Sequence, residues 1–320
     1  MQRSAQSPLR LPLRECQSLP LSGTHKYSPS EGKMAEDRRI AVAGGELSLA
    51  VRIWAPEAAP IQRCIAWPGW LDNAGSFDTL APHFVATGYE FVAVDPPGCG
   101  LSDHLPPSAA YVDLDEALLI IELADALRYD PNAPFILIGH SRGSAVTTAC
   151  AAAFPDRVCA LVTFESAYGL SGTFPMNRGM SATTGNHKLE LVLAADRAAL
   201  ARGKRTRVFD SLQAAIAHNH QNKRFVKALQ TSENIVRRHV RELPGGRWQF
   251  THDPRLYVQT QPIYADESVC RSILRALRCN TINIRASNFR NRWRGMTRDK
   301  TSGEQWSKIT VGSFSFDPAC

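Results

Sequence analysis

The sequence predicts an α/β fold in which a mostly parallel central sheet carries helices on both faces. Short apolar segments alternate with segments of helical spacing from residue 39 onward, and several of the apolar segments end at Gly or Pro. The alternation is interrupted once, by a long polar stretch at 166–266. Short continuous apolar runs are typical of parallel strands that are buried on both faces.

The predicted elements of the first part follow in order along the chain. Apolar residues recur at every second position from 47 to 53, as in a strand with one buried face. The later predicted strands are apolar runs of four or five residues, at 64–67, 91–94, 135–138 and 160–164. The segment 111–128 has helical spacing, and 143–154 is rich in small residues that suit a helix packed tightly on a sheet.

These elements predict four regions. Residues 1–38 are a leader, 39–165 the first part of the core, 166–266 an inserted helical cap, and 267–320 the last part of the core with a diverged or truncated basic tail. The cap is predicted because about a hundred residues are too many for a structureless loop. Its candidate helices are 189–202, 211–219 and 232–243, and the sheet pattern returns at 281–286.

Composition excludes several classes of protein. Hydrophobic residues make up 44% and charged residues 21%, as in ordinary globular chains, and no apolar run reaches the ~18–20 residues of a membrane span. The net charge of +7 lies in residues 271–320, where ten Lys and Arg face three acids, so no basic groove for nucleic acid is predicted. The eight Cys lack metal-ligand spacing and are typical of buried, reduced thiols of an intracellular protein.

The first 33 residues differ from the rest, because they are rich in Ser, Pro, Leu and Arg and hold only two acids. Three interpretations stay open: an organelle-targeting segment, a disordered leader, or translated sequence upstream of a start at Met34. The segment has no long apolar region, so secretion is not expected. We expect a cytoplasmic protein, with organelle targeting as the alternative, and the sequence makes no prediction of oligomeric state.

The strongest motif is Gly139-His140-Ser141-Arg142-Gly143, which has the G-x-S-x-G form of a nucleophile elbow. It follows an apolar strand directly and opens a helix of small residues, as an elbow requires. The Ser141 hydroxyl would then stand at the carboxyl end of the sheet, where open α/β sheets place their sites. Ser141 is therefore the candidate nucleophile.

A second motif follows the strand at 64–67 and reads Trp-Pro-Gly-Trp-Leu-Asp-Asn-Ala-Gly-Ser-Phe over residues 67–77. Acyl transfer needs two backbone N–H donors aimed at the oxygen on which negative charge develops. One candidate donor is the amide of Arg142, directly after the nucleophile. The other is the amide of Trp70 in this loop.

These segments together resemble the α/β-hydrolase superfamily, and more narrowly the serine hydrolase-like proteins. The resemblance covers about residues 40–288 and rests on four motifs in order, at 68–77, 95–102 (Asp-Pro-Pro-Gly-Cys-Gly-Leu-Ser), 139–143 and 253–256 (Asp-Pro-Arg-Leu). It implies a Ser nucleophile and hydrolysis of an ester-like bond in a small molecule. It implies neither a metal nor an organic cofactor, and it implies that His140 shapes the site and is not its base.

The sequence departs from the family pattern in three places. Pro68 stands where His-Gly usually begins the oxyanion loop, and Asn288 lies near where an acid often follows the penultimate strand. Glu165, at the end of the strand before, is the remaining acid candidate and matches an acidic position seen in relatives. The family's general base is a His near the C-terminus, but the last His here is His252, and residues 310–318 resemble that segment without it.

Two functions remain open after these departures. The first is a serine hydrolase acting on a carboxylic ester or similar acyl substrate, with a cap His as one alternative source of the base. The second is a catalytically impaired binding protein of the same fold, because a Ser hydroxyl is a weak nucleophile without an adjacent base. Dehalogenation and epoxide hydrolysis on this fold use an Asp nucleophile, which the Ser at position 141 does not supply.

Overall fold

The computed structural model describes residues 35–165, 206–221, 228–257, 267–285 and 310–313. The predicted leader, the predicted helix at 189–202 and most of the basic tail lie outside the described residues. The described strands form one sheet of eight strands and one of three. In chain order they are β1 (Glu36–Val42), β2 (Leu47–Trp54), β3 (Gln62–Trp67), β4 (Tyr89–Val94), β5 (Phe135–His140), β6 (Val158–Phe164), β7 (Val208–Phe209), β8 (Val240–Leu243), β9 (Arg247–Phe250), β10 (Asn280–Arg285) and β11 (Thr310–Ser313).

The helices flank these strands in an alternating order. They are α1 (Ala81–Ala86), α2 (Asp113–Ala126), α3 (Arg142–Ala153), α4 (Leu212–His220), α5 (Leu229–Arg237) and α6 (Glu267–Ala276). The predictions for α2 and α3 agree with the structure to within two residues at each end. Short 3-10 turns occur at Ala43–Gly45, Ala74–Phe77 and Pro254–Tyr257.

The large sheet has the strand order β1-β2-β4-β3-β5-β6-β10-β11. Its five central strands, from β4 to β10, run parallel, whereas β1 and β2 at one edge and β11 at the other pair antiparallel with their neighbours. Because β3, β5 and β6 are parallel neighbours, their carboxyl ends meet at one edge of the sheet. The prediction of a mostly parallel sheet is confirmed.

Both faces of the sheet are covered, as β3 illustrates. Ile65 and Trp67 point into a core that buried residues of α2 and α3 complete. Cys64 and Ala66 point to the opposite face, where they pack with buried residues of α1 and the turn before it. All four side chains are fully buried, which explains why this strand is a continuous apolar run in the sequence.

The insertion, which we define as the described residues 206–221 and 228–257, lies in sequence between the neighbouring strands β6 and β10. It contains α4, α5 and a small antiparallel sheet of order β7-β9-β8. The helix predicted at 211–219 is α4. The helix predicted at 232–243 was too long: α5 ends at Arg237, and β8 pairs with β9 across a turn in which Gly245 and Gly246 have positive φ. Pairing with a partner strand overrode the helical spacing of this segment.

A buried arginine ties the insertion to the core. Arg238, directly after α5, is 4% exposed, and its Nε lies 2.8 Å from both carboxylate oxygens of Asp95 at the end of β4. Its Nη1 lies 2.6 Å from Asp37 of β1. Burial raises the pKa of Asp95, and the charge of Arg238 opposes that rise. The pair therefore fixes the insertion above the carboxyl ends of the strands.

The last described strand differs from the prediction for this segment. Residues 310–318 were expected to correspond to a loop that follows the last strand, but Thr310–Ser313 is itself a strand, antiparallel to β10. Thr310 pairs with Arg285 and Ser313 with Ile282, so the chain leaves β11 toward the amino ends of the parallel strands. That edge is opposite the one at which Ser141 lies. Thr310 and Val311 favour an extended strand.

Within the described part of the chain, no helix is both long and apolar enough to cross a bilayer. The same residues hold no group of three or more His, Cys, Asp or Glu arranged to bind a metal ion.

Candidate active site

Ser141 lies in a strained turn between β5 and α3. Its φ of 51° and ψ of −116° fall in a region that L-residues rarely adopt. The turn is held because the Ser141 amide donates a hydrogen bond of 2.8 Å to the carbonyl of Phe164, at the end of β6. The backbone of the candidate nucleophile is thus fixed by the neighbouring strand.

The two elbow glycines are required by close backbone contacts. A Cβ on Gly143 would lie 2.2 Å from the carbonyl oxygen of Trp67 and 2.5 Å from that of Pro68. A Cβ on Gly139 would lie 2.3 Å from Thr147 Oγ1. Since no real Cβ tolerates such distances, only glycine lets α3 approach the end of β3 this closely. The G-x-S-x-G spacing therefore has a packing cause in this chain.

The loop after β3 lies against the elbow. A Cβ on Gly69 would lie 3.4 Å from Ser141 Cβ, so the loop backbone passes close to the candidate nucleophile. Leu71 has a φ of 60°, and the Asp72 amide donates to the Gly69 carbonyl at 3.1 Å, which closes a tight turn around Trp70. The other predicted donor, the Arg142 amide, belongs to the first residue of α3, whose N–H has no acceptor within its own helix.

The indole of Trp70 is fastened to the insertion. Its Nε1 donates to the Leu256 carbonyl at 3.1 Å, and its ring meets Tyr257 edge to face with centroids 5.6 Å apart. Further along the loop, the buried Asn73 donates to the Ile235 carbonyl at 2.9 Å. Both ends of the loop therefore depend on the insertion for their position.

The Arg142 side chain turns away from Ser141 into a buried group of charges. Its guanidinium contacts Glu116 at 2.7 and 2.9 Å and Asp113 at 2.7 Å, both on the first turn of α2. The indole N–H of Trp67 also donates to Glu116, at 2.9 Å. Burial raises the pKa of Glu116, and the charge of Arg142 opposes that rise. Burial would lower the pKa of Arg142, but the charges of Glu116 and Asp113 raise it. Sequence analysis missed this cluster.

His140 and Asp72 form a second pair that sequence analysis did not connect. His140 Nδ1 lies 4.0 Å from Asp72 Oδ2. The carboxylate side chain is 7% exposed and the imidazole 34% exposed, so the acid is buried and the ring reaches the surface of the site. A Cβ on Gly69 would lie 3.1 Å from His140 Nδ1. The imidazole and the candidate nucleophile thus both lie near Gly69.

Glu165 lies at the same edge of the sheet. It directly follows Phe164, which pairs with His140 across β5 and β6 and accepts the hydrogen bond of Ser141. The Glu165 amide donates to the carbonyl of Ile284 in β10 at 2.9 Å, and its φ of 58° turns the chain out of the sheet. The position agrees with the prediction that this acid closes the strand, whereas its catalytic role stays a prediction.

The motif at 253–256 joins the insertion to the turn after β4. Asp253 accepts a hydrogen bond of 2.7 Å from the Tyr111 hydroxyl, binds Arg255 at 2.7 Å, and donates its amide to the Gly98 carbonyl at 2.8 Å. Arg255 and Tyr111 lower the pKa of Asp253 by more than burial raises it. In this chain the motif makes structural contacts.

A family model described as alpha/beta hydrolase fold matches residues 65–264, which include the loop after β3, the elbow and the insertion. The chain belongs to the α/β-hydrolase fold family. The resemblance inferred from the four motifs is therefore confirmed at the level of the family.

Curated relatives of this chain carry the name serine hydrolase-like protein. The one from Danio rerio is 26% identical over 271 residues, which cover 84% of this chain and 77% of that protein. The one from Dictyostelium discoideum is 31% identical over 122 residues, 38% of this chain and 33% of that protein. The one from Mus musculus is 33% identical over 128 residues. The chain thus matches only about a third of the length of some relatives and most of the length of another.

Solved structures agree with the fold. A hypothetical protein from Pseudomonas aeruginosa PAO1 has a TM-score of 0.62 and 28% identity, and the match covers 77% of this chain and 79% of that one. The thioesterase domain from the curacin biosynthetic pathway has a TM-score of 0.63 and 19% identity, covering 79% and 83%. At that lower identity the likeness concerns the fold alone.

Proposed function

We propose that this α/β-hydrolase-fold protein hydrolyses a carboxylic ester or a similar small acyl substrate through Ser141. One observation carries the proposal: a strained serine stands at the carboxyl end of the sheet, and the loop after β3 passes close to its Cβ. Strain at a residue that the surrounding structure holds in place is characteristic of active sites. The curated relatives named serine hydrolase-like support the same class of chemistry.

In the proposed reaction, Ser141 Oγ attacks the carbonyl carbon while its proton passes to a base. The new O–C bond forms as the carbonyl π pair moves onto oxygen, where the amides of Arg142 and Trp70 donate hydrogen bonds. Collapse of this intermediate breaks the bond to the alcohol, which leaves with the proton. A water molecule then attacks the acyl group, gives its proton to the base, and releases the acid and the free Ser141.

Two further features support a polar reaction at this edge. Glu165 adds a carboxylate beside the elbow and is the acid that we propose for balancing positive charge on the base. The amino terminus of α3 starts at Arg142, so its helix dipole favours the negative charge that develops on the substrate oxygen.

A fluorophosphonate probe tests the proposal, because it reacts with activated serines. We expect it to label the wild-type protein and to leave Ser141→Ala unlabelled, with equal melting temperatures. The exposed Ser108, changed to Ala, is the matched control and should keep full labelling. Labelling that survives Ser141→Ala would contradict the proposal.

A second candidate function is that of a binding protein with the same fold and impaired catalysis. One observation favours it: residues 310–318, which resemble the family segment that supplies the base, hold no His. This candidate predicts no turnover of short p-nitrophenyl esters and ligand binding that Ser141→Ala leaves unchanged. Turnover that depends on Ser141 would exclude it.

A further inference from the structure

We propose that Glu116 is a positioning residue for the two amides proposed to stabilise the oxyanion, a role that rests on the hydrolase activity proposed above. Its buried carboxylate binds the side chain of one donor residue, Arg142, and the end of the strand that leads to the other, Trp70. Glu116 does not touch the substrate in this scheme. It acts by holding the two segments at a fixed separation.

The carboxylate of Glu116 accepts hydrogen bonds from both segments. Its Oε2 lies 2.9 Å from Trp67 Nε1 and 2.9 Å from Arg142 Nη1, and its Oε1 lies 2.7 Å from Arg142 Nη2. Trp67 ends β3 shortly before Trp70, and Arg142 is the first residue of α3. One oxygen atom therefore joins the two sides of the proposed oxyanion site, although it belongs to a third element, α2.

The same two segments also meet through their backbones. A Cβ on Gly143 would lie 2.2 Å from the Trp67 carbonyl oxygen and 2.5 Å from that of Pro68. This junction limits how closely the first turn of α3 can approach the end of β3, whereas the hydrogen bonds of Glu116 oppose separation of the two segments. The separation matters because oxyanion donors act at about 2.7–3.1 Å, and a displacement of about 1 Å can cost about 100-fold in rate.

Burial strengthens the hydrogen bonds of Glu116. Its side chain is 3% exposed, that of Arg142 is 11% exposed, and Trp67 is fully buried. Hydrogen bonds to a charged group are shorter and stronger than neutral ones, and they are stronger still where water is excluded. The helix that carries Glu116 is itself fixed, because Ile120 and Leu123 are fully buried in the core that α3 completes.

Asp113 offers a comparison within the same cluster. It lies on the same turn of α2, its side chain is 10% exposed, and its Oδ1 lies 2.7 Å from Arg142 Nη2. Trp67 has a single side-chain N–H, which it donates to Glu116. Within the described residues, Asp113 therefore binds one of the two segments and Glu116 binds both. If positioning depends on joining the segments, the two carboxylates should differ in their effect on the reaction.

The test compares Glu116→Met with Asp113→Leu, because each replaces one carboxylate by an apolar side chain of similar shape and leaves Arg142 one acid. Turnover of p-nitrophenyl acetate is measured below the melting temperature of each variant, per site titrated by a fluorophosphonate probe. We expect Glu116→Met to lower kcat at least about tenfold with little change in KM, because the donors bind the transition state more strongly than the substrate. Asp113→Leu should lower kcat less than about threefold, because the junction of the two segments stays bonded.

Two further variants separate contact from charge. In Glu116→Gln the amide oxygen can take the place of Oε2 and accept from both segments, so kcat should stay within about threefold of the wild type. Trp67→Phe removes the N–H and leaves the ion pair of Glu116 with Arg142, so it should lower kcat. Adding Trp67→Phe to Glu116→Met should lower kcat little further, because the bond that it removes is already absent.

Equal losses of kcat in Glu116→Met and Asp113→Leu would overturn the positioning role. A loss in Glu116→Gln as large as in Glu116→Met, or a wild-type kcat in Trp67→Phe, would overturn it as well, and these two variants decide if Glu116→Met does not fold. In each case turnover would still depend on Ser141, so the hydrolase proposal would stand. A wild-type protein that shows neither labelling nor turnover would overturn both proposals.

Discussion

The core side and the insertion side of the candidate site are held by different forces. On the core side, Ser141 is fixed by a backbone hydrogen bond to β6, by flanking glycines at which an added Cβ would lie 2.2–2.6 Å from neighbouring atoms, and by the buried charges around Arg142. On the insertion side, Trp70 is held by a side-chain hydrogen bond and by ring contacts that lead through Tyr257 to His252. The core side is therefore held mainly by backbone contacts and by buried ion pairs. The insertion side is held in part by aromatic rings, one of which is a histidine that can take up a proton.

This difference predicts different responses to perturbation. Close backbone contacts cannot adjust, so the core side should fail as a unit when one residue is enlarged or one charge removed. Ring contacts change with protonation, so the insertion side should loosen under mild acid while the elbow stays formed.

The largest expected effect is on the core side, in Arg142→Met. This change leaves the carboxylates of Glu116 and Asp113 buried without their cation, at a cost of about 3–5 kcal/mol of unfolding free energy. Urea denaturation at neutral pH measures it. The double variant Arg142→Met/Glu116→Gln removes one of the two charges and should recover part of the loss.

Arg38→Met provides the control, because the ion pair of Arg38 with Glu36 is exposed and should change stability by less than about 1 kcal/mol. A loss in Arg142→Met as small as that of the control would contradict the view that buried charges support the elbow.

The next effect is on the insertion side and depends on pH. Burial, and then the charge of His104, lower the pKa of His252 to about 4, and Asp253 raises it only in part. In the unfolded chain this imidazole binds a proton at about pH 6.5, whereas in the folded chain it does so only near pH 4. The free energy of unfolding is therefore highest above about pH 6.5 and decreases as the pH falls from there toward 4. The size is on the order of 3 kcal/mol.

Urea denaturation at several pH values should show this slope in the wild type and a flatter one in His252→Phe, which keeps an aromatic ring. The exposed His83, changed to Gln, should leave the slope unchanged. Hydrogen exchange should show faster opening of residues 239–257 than of β5 at low pH. Equal opening of both regions would remove the distinction between the two sides.

A third comparison uses two glycines of the site. Gly143→Ala sets a Cβ against backbone carbonyls that cannot move, and should cost roughly 1–3 kcal/mol and most of the probe labelling. Gly69→Ala meets the His140 ring at 3.1 Å, and a side chain can shift. It should change stability less but slow labelling by about tenfold, because small displacements of reacting groups are costly. Thermal melts and labelling rates measured together separate the two effects, and equal stability losses would contradict the assignment.

The parts of the fold that sequence analysis predicted correctly are those with local causes. The strands β3, β4 and β5 are largely buried on both faces, and each apolar run ends within four residues of a glycine at which an added Cβ would crowd neighbouring atoms. The elbow was visible because Gly139, Ser141 and Gly143 form a short motif, although the contacts that require Gly143 are with Trp67 and Pro68. Because these strands are parallel, their carboxyl ends meet at one edge of the sheet, where the elbow lies.

What sequence analysis missed depends on long-range partners. The strand β1 is mostly exposed and reads Glu-Asp-Arg-Arg-Ile-Ala-Val, so it carries little apolar signal. The end of the segment 232–243 became β8 because β9 pairs with it. The charges that meet Arg142 come from α2, and Asp72 meets His140 only because the loop after β3 folds over β5. No spacing along the chain encodes these contacts.

The smallest expected effect on stability concerns Glu165, which lies where the core ends and the segment leading to the insertion begins. It is partly exposed, and Gln keeps its shape, so Glu165→Gln should change stability by less than about 0.5 kcal/mol. Its effect on labelling should be far larger if Glu165 is the acid of the site, because removing the charge that stabilises an imidazolium costs up to about 10⁴-fold. Thermal melts and labelling rates at one pH, with Ser141→Ala as the blank, measure the two effects. Labelling as fast as in the wild type would contradict the role proposed for Glu165.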